Sequence, residues 1–79
     1  MTIQEKISAL LVNGGMFEEQ ADRVIASAKS ELPEMNGRWG DSCDDYPQIM
    51  ISALWINVKR VALKWIDENK PQAWFRDMF

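Results

Sequence analysis

The groups in this 79-residue sequence with the chemistry for catalysis or metal binding are one thiol, a cluster of aspartates and a few paired carboxylates. Cys43 sits between Ser42 and Asp44. A thiolate nucleophile needs a neighbouring base or positive field to lower its pKa. Here the flanking residues are acidic and the sequence contains no histidine, so Cys43 reads as an inert free thiol. A lone cysteine forms no internal disulfide, which suits a reducing cytoplasm. Asp41, Asp44 and Asp45 would offer oxygen ligands to a hard cation. Their spacing departs from the EF-hand pattern of alternate ligands with a downstream glutamate. A solvated loop whose aspartates cap the next helix is the simpler reading. Asp67 and Glu68 are adjacent and point in different directions on a helix, so they do not form an acid–base pair. Glu18, Glu19 and Asp22 crowd the start of a helix, where its dipole favours negative charge. No constellation converges on a reaction. The expectation is a non-enzymatic protein that needs no metal or cofactor.

Charge narrows the partners. Nine basic residues against twelve acidic ones give a net charge of −3, which argues against a general nucleic-acid binder. Residues 1–45 carry nine acidic and four basic groups, residues 46–79 three acidic and five basic. One end of the molecule is therefore acidic and the other mildly basic. Glu31, Glu34, Asp41, Asp44 and Asp45 would form a local patch fit for a basic groove, which leaves an acidic decoy for a nucleic-acid-binding site as a minor alternative. The N-terminus lacks the basic start and apolar run of a secretory signal. Apolar stretches are far shorter than the roughly 20 residues that span a bilayer. A cytoplasmic protein is expected.

These side chains must be positioned by helices, because helical periodicity dominates and strand alternation is missing. A hydrophobic fraction of 47% in a chain of this length implies one domain over residues 1–79. The spacing predicts a first helix over about 3–12, opened by the capping box Thr2-x-x-Glu5. Its buried face is Ile3, Ile7, Leu10 and Leu11, and Asn13-Gly14-Gly15 stops it. A second helix is predicted over about 17–32, with Phe17, Ala21, Val24, Ile25 and Ala28 as its apolar stripe and Pro33 just beyond its end. An acidic loop over 33–46 follows, with Trp39 as an anchor onto the core. The third helix, about 47–69, opens with Pro47 at its first position. A short fourth helix, about 71–78, would carry Trp74, Phe75, Met78 and Phe79 on one face. The fold class is thus all-α, a small helical bundle.

The third helix holds the most informative pattern. Ile51, Leu54, Trp55, Val58, Val61, Ala62, Trp65 and Ile66 fall within one broad face at 100° per residue, which packs on the first two helices. Ile49, Ile56 and Leu63 fall together on the opposite side, with Ser52 between them and Lys59, Arg60 and Asp67 nearby. A helix with two apolar faces is either sandwiched in its own domain or carries a partner surface. The aromatic residues Trp74, Phe75 and Phe79 near the C-terminus invite the same question.

Gly14-Gly15-Met16-Phe17, followed by Ala21, resembles the Met-Gly-Phe loop of ubiquitin-associated three-helix domains. The loop order differs and the third helix here is much longer. Glycine-joined helices also suit a helix-turn-helix, but the second helix carries more acid than base, which is poor equipment for a major groove. Gly37-Arg38-Trp39, Tyr46-Pro47, the run Val58-Lys59-Arg60-Val61-Ala62-Leu63-Lys64-Trp65-Ile66-Asp67 and the ending Ala73-Trp74-Phe75-Arg76-Asp77-Met78-Phe79 resemble a group of small bacteriophage and prophage proteins without established activity. That resemblance implies a setting in a host cytoplasm, where small phage proteins often bind and redirect a host protein.

The expected function is a non-enzymatic protein–protein interaction module, and the resemblance implies a phage-encoded modulator or inhibitor of a host protein. Its contact residues would be Ile49, Ile56, Leu63, Lys59, Arg60, Trp74, Phe75 and Phe79. The alternative is a structural, self-assembling protein, since a core this small leaves only a few kcal/mol of net stability and self-association is a common supplement. A two-fold homodimer is the commonest form of such assembly.

Overall fold

The computed structural model describes residues 1–69. It is a three-helix bundle: α1 (Ile3–Asn13), α2 (Glu18–Glu31) and α3 (Gln48–Asn69), with short 3-10 turns at Pro33–Met35 and Cys43–Asp45. The fourth helix expected over about 71–78 lies outside the described residues.

Each helix end has an identifiable cause. At the start of α1, the Thr2 hydroxyl accepts the Glu5 N–H at 3.1 Å. The Glu5 carboxylate accepts the Thr2 N–H at 2.9 Å. These are the reciprocal bonds of the capping box. At the other end, the Gly15 N–H bonds to the Val12 carbonyl at 2.9 Å and the Met16 N–H to the Leu11 carbonyl at 3.1 Å. This is a Schellman ending, and Gly15 takes the left-handed conformation it requires, with φ 113°. Met16 and Leu11 are both buried beneath it.

α2 begins one residue later than the spacing predicts, and Phe17 leaves the expected stripe. Phe17 has the extended backbone of a cap residue, and the Gln20 side chain accepts its N–H at 3.2 Å. Leaving the helical path turns its ring away from the face of Ala21, Val24, Ile25 and Ala28, and it is 58% exposed. α2 stops at Glu31 rather than 32, because Leu32 precedes a proline and adopts φ −120°, ψ 71°. Pro47 likewise stands just outside α3; its carbonyl accepts the Met50 and Ile51 N–H groups at 3.0 and 3.3 Å.

α2 packs against both neighbours, while α1 and α3 touch more sparingly. The core joins Ile3, Ile7 and Leu11 of α1, the α2 stripe, and Ile51, Leu54, Val58, Val61, Ala62 and Ile66 of α3. Leu10, Trp55 and Trp65 pack on its edge, partly buried.

The segment 33–46 is more ordered than a plain loop. It lies across the start of α1, where the Asp41 and Trp39 carbonyls accept the N–H groups of Ile3 and Gln4 at 2.8 and 2.9 Å. The first N–H groups of a helix have no partner within it, so this segment supplies acceptors that α1 lacks. Thr2 and Ser42 form an isolated antiparallel bridge, and the Cys43 N–H bonds to the Met1 carbonyl at 3.0 Å. Trp39, the predicted anchor, is buried among the core residues.

Candidate interaction surface

α3 is 22 residues long, about 33 Å at 1.5 Å per residue. One side of it is taken up entirely by the core. On the other side Ile49, Ile56 and Leu63 are 78%, 62% and 50% exposed. They are seven residues apart, so they form a single line along the axis, two turns between neighbours. Ser52 and Ala53, small and exposed, lie between the first two. Met50 is also exposed, but it lies about 100° around the helix from Ile49, at the margin of the core-facing side.

Long basic side chains often lie over such apolar surface and cover it with their methylene stems. Here they are held to the flanks. The Lys59 ammonium sits 5.9 Å from the centre of the Trp55 ring, within cation–π range. Arg60 donates to the Asn57 side-chain oxygen at 3.1 Å. Lys64 donates to the Glu31 carboxylate on α2 at 2.9 Å, and this bond raises the lysine's pKa above its ordinary value. Trp55, Asn57 and Glu31 all stand to the sides of the Ile49–Leu63 line. The result is a bare apolar stripe with a cationic margin. Five of the expected contact residues (Ile49, Ile56, Leu63, Lys59 and Arg60) are therefore together on one face. Trp74, Phe75 and Phe79 lie outside the described residues.

The acidic residues have different surroundings. Glu31 is paired with Lys64. Asp41 accepts the Tyr46 hydroxyl at 2.7 Å, a bond that raises the phenol's pKa because ionisation would set a phenolate beside a carboxylate. Glu34, Asp44 and Asp45 are exposed. Ser42, rather than an aspartate, caps the turn Cys43–Asp45, accepting the Asp44 N–H at 3.2 Å. Among the described residues no three histidine, cysteine, aspartate or glutamate side chains gather where they could hold a metal ion. The Cys43 thiol is half-buried and donates to the Thr2 carbonyl at 3.3 Å, which ties it to the α1 cap.

An open groove of about 560 Å³ lies beside α1, with Ser8, Val12, Glu18, Asp22 and Trp39 in its walls. No histidine, cysteine, lysine or arginine lines it. Glu5, at its edge, is engaged in the capping box, and the Thr2 N–H holds its carboxyl below the usual range. Among the described residues no helix is long and apolar enough to cross a membrane.

Comparison of the chain with protein-family models, with curated proteins and with solved structures returned no match.

Proposed function

We propose that this chain is a non-enzymatic protein–protein interaction module that docks a partner through the outer face of α3. The observation that supports this reading is the bare line Ile49–Ile56–Leu63, exposed along two thirds of a helix whose other side is fully used by the core. Contiguous apolar surface rimmed by polar groups is characteristic of interaction sites. A groove-binding or helix-pairing partner reads such a line through side chains at helical intervals. The cationic margin of Lys59, Arg60 and Lys64 would set orientation and on-rate more than affinity. The resemblance to small phage and prophage proteins supplies the setting, a cytoplasmic modulator of a host protein. The acidic-decoy reading has less support, because Glu31 and Asp41 already hold partners within the chain.

The test compares the wild-type chain with Ile56→Asp and Leu63→Asp as baits in a bacterial lysate. Both residues are exposed, so the helical circular dichroism and unfolding midpoint should change little. The expected result is a protein retained by the wild type and lost from both variants. Retention unchanged in both would refute the α3 surface.

A further inference from the structure

We infer that the segment after α3, residues 70–79, folds back on its own domain and seats the aromatic pair Trp74-Phe75 in the groove between the start of α2 and the end of α3. The groove has a volume of about 320 Å³, and Phe17, Glu19, Gln20, Arg23, Trp65 and Asn69 form its walls. Its polar groups are already engaged with one another. The Gln20 side chain accepts the Phe17 N–H at 3.2 Å, Arg23 donates to Glu19 at 3.1 Å, and the Asn69 side chain donates to the Trp65 carbonyl at 2.9 Å. What the walls still offer is aromatic surface: Phe17 is 58% exposed, and Trp65 is half-buried at the edge of the core. Such walls suit aromatic rings, which pack on one another offset or edge to face.

Position and reach select the occupant. α3 ends at Asn69, in the wall of this groove. The chain beyond it carries Pro71, which cannot extend a helical hydrogen-bond ladder, and then Trp74 and Phe75. Trp74 is five residues from Asn69, a reach of up to about 18 Å. So short a tether holds the pair at roughly millimolar effective concentration, which favours the attached segment over a free competitor for so small a groove. The stripe on α3 stays open in this arrangement. Trp65 is two residues from Leu63, about 160° away around the helix, so the groove and the Ile49–Leu63 line face different ways. Trp74 and Phe75 then close one end of the bundle, while Ile49, Ile56 and Leu63 face outward.

Nuclear Overhauser contacts in the full chain, together with urea unfolding of two variants, test the fold-back. In dilute wild-type protein the Phe17 ring should show contacts to the rings of Trp74 and Phe75. Phe17→Ala and Trp74→Ala should each lower the urea midpoint by about 0.5–1 M. The double variant should fall no further than the lower of the two, because both substitutions remove the same contact. Phe17 stands outside the buried core, so its replacement leaves the bundle folded, and the ring contacts are read on the unaltered chain. Losses that add in the double variant would overturn the assignment. Contacts from Trp74 to Ile56 or Leu63 in place of Phe17, or no Phe17 contact at any concentration, would do the same. Contacts that appear only in concentrated protein would overturn the chain's own segment as occupant and assign the groove to a second copy's.

Discussion

Trp39 is where the long connection between α2 and α3 is fixed, and replacing it measures how strongly. The residue is 6% exposed, and its own carbonyl accepts the Gln4 N–H at the start of α1. Removing a buried tryptophan side chain costs about 3–5 kcal/mol. A domain of 79 residues has about 4–12 kcal/mol of total stability at 0.05–0.15 kcal/mol per residue. Trp39→Ala should therefore remove about a quarter or more of it, and in urea the midpoint should fall by about 2 M for a slope near 1.5–2 kcal/mol/M. Trp39→Phe has a different balance. Among the described residues the buried indole N–H has no hydrogen-bond partner, and an unsatisfied buried donor costs about 1–3 kcal/mol. Phenylalanine removes that donor while giving up part of the ring's burial, so the two terms offset to within about 1 kcal/mol. The assay is urea unfolding followed by helical circular dichroism, since four tryptophans complicate fluorescence. An alanine variant within about 1 kcal/mol of wild type, or a phenylalanine variant as damaged as the alanine one, would refute the reasoning.

Three further outcomes are expected. Glu5 has its carboxyl pKa lowered by the Thr2 bonds, so its contribution is present above the ordinary carboxylate range and is lost as pH falls through the lowered value. The gap in urea midpoint between wild type and Glu5→Ala should therefore be widest above about pH 5 and shrink toward pH 3; a gap independent of pH would contradict the capping bond. Tyr46 is the only tyrosine, so phenolate absorbance reports it alone. Its raised pKa means that the Asp41 bond contributes below the ordinary phenol range and fades as pH climbs through the raised value; Asp41→Asn should lower the titration midpoint, and an unchanged midpoint would exclude the bond in solution. Gly15→Ala should destabilise the protein by about 1–2 kcal/mol, because a β-carbon is strained at φ 113°; a neutral result would mean that the α1 ending relaxes.

The features that were legible in the sequence are those encoded over one or two helical turns. Thr2 and Glu5 are three residues apart and form the cap that their spacing predicts. The two faces of α3 follow from its periodicity; that Ile49, Ile56 and Leu63 are exposed rather than sandwiched in the domain comes from the packing, since the period alone allows both. The tethers of Lys59 to Trp55 and of Arg60 to Asn57 are also local, at four and three residues' separation. What the sequence hid is carried by distant groups or by the backbone. The Lys64–Glu31 bridge spans 33 residues, and it depends on how α2 settles against α3. The acceptors for the first N–H groups of α1 are carbonyls of Trp39 and Asp41, and every residue has a carbonyl, so no residue type announces them. Phe17 misled because an aromatic next to a helical stripe fits the period. A one-residue shift of the boundary is enough to turn it outward.

The stripe on α3 is tested most directly by the solvent exposure of its methyl groups. Methyl-labelled protein, probed by nuclear magnetic resonance with a soluble paramagnetic agent, reports Ile49, Ile56 and Leu63 separately from the exposed Val12 on α1. In dilute protein all four should be broadened by the agent. In the complex with a protein captured through position 56, the three α3 methyls should become protected while Val12 stays accessible. Three α3 methyls that remain as accessible as Val12 in that complex would contradict α3 as a contact surface.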